Sequence, residues 1–155
     1  MTYDLLKFLH IIGATILFGT GAGIAFFMVV SVKSRDPALV AHVASIVVLA
    51  DAVFTATAAL AQPITGAMLA WYAGYPLFEG WLGVSLLLYI VVGAFWLPVV
   101  VIQTRMRNLA RNSRDSGEPL SADFFRLYRI WFACGFPAFF SVLAIIWLML
   151  TKPSF

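Results

Sequence analysis

The stretch from Leu5 to Val32, LLKFLHIIGATILFGTGAGIAFFMVVSV, constrains this chain more than anything else in it. Its only ionisable side chains are Lys7 and His10, both near its start, and the apolar run that follows is longer than a soluble domain of this size could hide. Such a run reads as a membrane-spanning helix. Lipid supplies no partners for backbone N–H and C=O groups, so the remaining apolar segments are expected to be helices as well. The run also exceeds the ~7–15 apolar residues of a signal peptide and lacks a small-residue cleavage site before Lys33, so it is expected to be retained as the first span.

Composition agrees. The chain is 63% hydrophobic and 11% charged, with a mean hydropathy of +0.97, against roughly 45–50% apolar and 25% charged for soluble domains. The net charge of +3 would suit nucleic acid in a soluble protein, but in a membrane chain the placement of basic residues carries more information than their sum. A single cysteine, Cys134, excludes an intrachain disulfide and any CxxC motif, and it reads as a small buried hydrophobe.

The expected fold is an all-α membrane protein, a four-transmembrane-helix antiparallel bundle forming one domain over residues 1–155. Its helices cover about 4–32, 37–73, 80–111 and 121–151. Thr2 or Asp4 caps the first. Asp36 before Pro37 is an N-cap followed by the residue best tolerated at the first helical position. The second helix is too long for a ~30 Å hydrocarbon core, so it is expected to tilt, protrude or bend, with Pro63, between Gln62 and Gly66, as the place for a bend. Trp71, Tyr72 and Tyr75 form an interfacial aromatic belt at its end. The polar segment from Asn112 to Leu120 reads as a loop, Pro119 and Ser121 mark the next start, and Gly135 with Pro137 marks a second kink.

Orientation follows from Lys and Arg. The 31–37 and 105–129 regions carry Lys33, Arg35, Arg105, Arg107, Arg111, Arg114, Arg126 and Arg129, eight residues, against Lys7 and Lys152 on the other side. This bias places both regions in the cytoplasm and both termini outside it, in a bacterial inner membrane. The basic cluster reads as a topology determinant and a contact for anionic lipid.

Polar side chains held at membrane depth are the default candidates for function. Here they are His10, His42, Asp51, Gln62 and Gln103. Laying the helices antiparallel about their turns places His10, Gln62, Tyr89 and Ser141 in one outer-half layer. The two histidines fall at opposite faces, tens of ångströms apart, which argues against a bis-histidine haem within one chain. If His10 binds haem iron, the other axial position is open, filled by Met68, or supplied by a second subunit. Asp51 lies opposite Phe18 and Gly19, and a carboxylate there needs a proton or a donor. It is expected to hydrogen-bond across a close contact made by the Gly19-xxx-Gly23 pattern or to pair with Arg126 or Arg129, in preference to relaying protons or fixing a cofactor substituent. Aromatic residues crowd the last two helices, among them Trp96, Trp131 and Phe136, a lining that suits a flat ligand such as haem or quinone but is better explained by ordinary packing and lipid contact. HExxH, P-loop, GxSxG and Met-rich or Cys-rich copper motifs are missing.

The opening Leu6-Lys7-Phe8-Leu9-His10-Ile11-Ile12 with Phe18-Gly19, the Leu49-Ala50-Asp51 and Gln62-Pro63-Ile64-Thr65-Gly66 of the second helix, Trp96-Leu97-Pro98 and the closing Ile146-Trp147-Leu148-Met149 resemble an uncharacterised bacterial family of predicted integral membrane proteins. Through its first helix that family is distantly similar to the copper-resistance CopD membrane domain and to HemJ, the haem-associated protoporphyrinogen oxidase. The resemblance implies a haem-binding role for His10. HemJ-like proteins also carry a basic residue within a later helix, whereas this chain has no Lys or Arg between Trp81 and Thr104.

Together these readings give a small inner-membrane protein binding haem b or another redox ligand, acting in electron transfer or membrane oxidoreduction. His10 is the iron ligand, Gln62 and Tyr89 support the cofactor, and Asp51 is a proton or structural partner. The alternatives are a noncatalytic scaffold or oligomeric subunit packing through Gly19 and Gly23, and a transporter of a proton, metal or small solute along a path from Asp51 to His10, which lacks the inverted repeats of secondary transporters.

Overall fold

A computed structural model describes residues 2–154. It is helical throughout: α1 (Thr2–Ser34), α2 (Pro37–Ala50), a π-helical turn (Asp51–Thr55), α3 (Ala56–Ala73), α4 (Gly80–Ser116) and α5 (Ala122–Thr151). Four helical segments, Thr2–Ser34, Pro37–Ala73, Gly80–Ser116 and Ala122–Thr151, are long and apolar enough to cross a membrane.

The breaks fall where local chemistry demands them. Asp36 Oδ1 accepts from the Ala38 N–H at 2.9 Å, with Pro37 at the first helical position. Ser121 Oγ accepts from the Phe124 N–H at 3.2 Å and opens α5. Gly74 and Gly117 end their helices in the left-handed region, at φ 72° and 70°.

Two expectations about the helices are corrected. Asp4 lies inside the first turn of α1, which begins by Thr2, so it is no N-cap. Asn112–Ser116 is helix, because polarity alone does not stop a helix and the first residue that does is Gly117. At about 1.5 Å per residue the 37 residues of α4 outrun a ~30 Å hydrocarbon core, so the last turns, with Arg105, Arg107, Arg111 and Arg114, extend past it. In the second span Pro63 lies within α3, and a stretch of π-helix interrupts α geometry upstream of it at Asp51–Thr55.

Packing is uneven along the bundle. Met28, Val32, Val40, Ala44, Met106 and Phe124 belong to one buried core at the end where α1 meets α2 and α4 meets α5. The close helix pairs are α4 with α5, α2 with α4, α1 with α2 and α1 with α3, whereas α3 makes no comparable contact with α4 or α5. Past the π-turn, space between α1, α3, α4 and α5 is therefore left open. On the outside, apolar side chains such as Phe26, Trp71 and Leu150 stand exposed, as a lipid-facing surface requires.

Candidate functional site

The open space is a cavity of about 630 Å³. Leu17, Phe18 and Gly21 of α1, Ala59 of α3, Gly93 and Trp96 of α4, and Phe136 and Phe139 of α5 are among its walls. Its size is that of a site for a drug-sized molecule, roughly 300–1,000 Å³, and its lining is almost wholly apolar. The polar exceptions cluster around the π-turn.

Asp51 opens that turn and is 2% exposed. Its Oδ2 accepts from Gln103 Nε2 at 2.7 Å, and its Oδ1 accepts from Trp96 Nε1 at 3.2 Å. Gln103 Oε1 in turn accepts from Trp131 Nε1 at 3.5 Å. An indole N–H only donates, so Trp131 holds the Gln103 amide with its oxygen outward and its N–H₂ toward Asp51. The polar chain thus runs from α5 through α4 to the π-turn, and every donor in it is neutral. A carboxylate at membrane depth costs roughly 2.5–3.5 kcal/mol on insertion scales, and hydrogen bonds to a charged group contribute about 1.5–3 kcal/mol each. Hydrogen bonds within bilayers average about 0.6 kcal/mol, so two of them offset part of that cost.

Thr55 closes the turn and is 6% exposed on the cavity wall. Its Oγ1 is the one buried side-chain polar atom without a partner among the described residues. Elsewhere the helical hydroxyls of Thr15, Ser45, Thr57, Thr65, Ser85 and Thr104 each donate to the carbonyl four residues back. In the π-turn the Asp51 carbonyl, four residues before Thr55, is engaged instead by the Ala56 N–H. Insertions of this kind recur at functional sites.

The residues singled out from sequence divide between this cavity and a separate seam. His10 Nδ1 lies 2.8 Å from Thr65 Oγ1, Gln62 Nε2 donates to the His10 carbonyl at 2.9 Å, and a Cβ placed on Gly66 would lie 3.2 Å from His10 Cε1. These contacts knit α1 to α3, and neither His10 nor Gln62 lines the cavity. Tyr89 does line it and donates to the Ala59 carbonyl. Ser141 is buried on α5 and shares no hydrogen bond with the other three. His42 and Met68 are exposed on the outer surface.

Two further expectations are corrected. Arg126 and Arg129 do not reach Asp51: both are exposed, Arg126 pairs with Asp123 at 3.1 Å, and the inward face of α5 is the one carrying Phe124 and Trp131. Gly19 and Gly23 do not bring another helix close, since a Cβ at either would meet nothing within 4 Å. The glycine that α1 needs for a close approach is Gly13, where a Cβ would collide with Gln62 Nε2.

Neither histidine reaches the cavity. Its lining holds no His, Met, Lys or Arg, so it offers no cation for haem propionates, and Tyr89 and Cys134 are its only side chains of a type that ligates haem iron. Among the described residues no group of three or more His, Cys, Asp and Glu is placed to hold a metal ion.

Sequence reasoning missed the pairing of Asp51 with Gln103, the two indoles that orient it and the role of Thr55. A signal for the first was present: the register that sets Gln62 opposite residue 90 sets Asp51 opposite about residue 101, one turn or less from Gln103. No sequence signal marked the π-turn.

Residues 4–153 match the family described as predicted integral membrane protein, DUF2269. No curated protein and no solved structure matches the chain.

Proposed function

This chain belongs to the DUF2269 family of predicted integral membrane proteins, and we propose that it binds one flat, largely apolar molecule taken up from the bilayer into the cavity between α1, α3, α4 and α5. The observation that carries this reading is the cavity itself: about 630 Å³ walled by apolar and aromatic side chains, with a built polar group at one place on the wall.

The reading departs from the haem role that the likeness of the first helix to CopD and HemJ implies for His10. That ring is spent on the α1–α3 seam, and a path from Asp51 to His10 is not continuous along the cavity wall. A Soret band that appears on haem supplementation and vanishes in His10→Ala would restore the haem role. The antiparallel order is supported by the contacts between the second and third spans, Ser45 with Arg111, Asp51 with Gln103 and Ala59 with Tyr89, in which one number rises as the other falls. With the eight-to-two bias in Lys and Arg, this supports an inner-membrane protein with cytoplasmic loops and outward termini.

A second reading, assembly with another copy or subunit through Gly19 and Gly23, is favoured by the open space beside both. Binding is tested in lipid nanodiscs with Trp71, Trp81 and Trp147 replaced by Phe, which leaves Trp96 and Trp131 on the cavity wall as reporters. Titration with 2-bromonaphthalene should quench their emission saturably. Quenching that rises linearly, as simple partition into lipid gives, would remove the proposal.

A further inference from the structure

The cavity reading leaves open what the polar end of the ligand is, and the groups around the π-turn answer that. Asp51 receives two N–H donors, from Gln103 and Trp96, and Trp131 fixes the amide so that neither Asp51 oxygen faces an acceptor. The network is complementary to the ionised carboxylate, yet among the described residues no Lys, Arg or His lies within ion-pair distance of it. A carboxylate has about four acceptor positions, of which two are taken. Four residues along, Thr55 lines the same wall, and its hydroxyl oxygen, itself buried, has no partner. The indoles of Trp96 and Trp131 and the rings of Tyr89 and Phe136 complete the surroundings.

We infer that the ligand carries a protonated amine on an apolar aromatic body, its N–H groups donating to Asp51 and Thr55 and its charge held beside the indole rings. Each feature answers a separate requirement. The negative charge of Asp51 selects a cation and rejects an anion. The free Thr55 oxygen accepts a second N–H, and aromatic rings favour a cation over a neutral group of the same shape. The inference rests on the cavity reading, and its test separates the two.

The probes are 2-(1-naphthyl)ethylamine, which is an ammonium at neutral pH, and its uncharged counterpart 2-(1-naphthyl)ethanol. Equilibrium dialysis against the protein in phosphatidylcholine nanodiscs, with uptake by empty nanodiscs subtracted, gives the affinity for each. The amine should bind saturably and roughly tenfold or more tightly than the alcohol, the size expected of hydrogen bonds to a charged group. Asp51→Asn should bring the amine to the level of the alcohol. Thr55→Val, which removes an unpartnered hydroxyl and so leaves the fold intact, should weaken the amine several-fold and serves where Asp51→Asn does not fold. Equal binding of both probes, unchanged by either substitution, overturns the cationic ligand while leaving the cavity reading in place; saturable binding of neither overturns both.

Discussion

Gln103 on α4 donates to Asp51 at the head of the π-turn over 2.7 Å, and this bond joins residues 52 positions apart at the point where the bundle changes from packed to open. Replacing Gln103 with Leu leaves one buried carboxylate oxygen without its donor. Unpaired buried groups cost about 1–3 kcal/mol, while hydrogen bonds within bilayers average nearer 0.6 kcal/mol, so a loss of about 1–2 kcal/mol is expected. A double-mutant cycle with Asp51→Ala, read by unfolding in mixed micelles, should give a coupling above about 0.5 kcal/mol. Additive losses would mean that the two side chains do not support one another.

Two threonines ten positions apart should respond in opposite ways to the same change. Thr65 is tied to His10 at 2.8 Å, so Thr65→Val should lower stability by about 0.5–1.5 kcal/mol. Thr55 has no partner, so Thr55→Val removes a buried hydroxyl that gains nothing and should leave the unliganded protein unchanged or up to about 1 kcal/mol more stable. Thermal unfolding of the pair in one detergent checks the contrast; a marked loss at Thr55 would reveal a partner for its hydroxyl.

The glycines of α1 allow a second internal comparison. A methyl at Gly13 meets the movable Nε2 end of Gln62 and displaces it from the His10 carbonyl, so the expected loss is that of one hydrogen bond, about 0.5–1.5 kcal/mol. Gly19→Ala enters open space and should change the stability of a single chain by less than about 0.5 kcal/mol. If copies assemble through the Gly19 and Gly23 face, Gly19→Leu with Gly23→Leu should lower the sedimenting mass without unfolding the chain.

How legible all this was in the sequence depended on what kind of information each feature carries. The four spans could be read from hydrophobic length, and the Asp36-Pro37 and Ser121 starts from capping chemistry, because both are local. Asn112–Ser116 was misjudged because polar residues at the end of a long helix look like a loop unless the glycine that stops the helix is given more weight. His10 drew attention as an ionisable group in an apolar helix, but its partner Thr65 was hidden by a register known only to within a turn. The π-turn at Asp51–Thr55 leaves no compositional trace, and it sets which face of the second span looks into the cavity. The pairing of Asp51 with Gln103 lay within reach of register arithmetic; the indoles that orient it did not.

The most direct measurement is the number of naphthylethylamine molecules held per chain in nanodiscs, compared between the natural sequence and Gly93→Phe. Gly93 lies on the cavity wall, where an added Cβ would meet nothing within 4 Å, and it is remote from the buried core, so phenylalanine there should occupy the cavity. One molecule per chain, reduced to none by Gly93→Phe in a variant that unfolds normally, is the predicted result. Undiminished binding in that variant, or binding no greater than that of empty nanodiscs by either protein, would contradict the account.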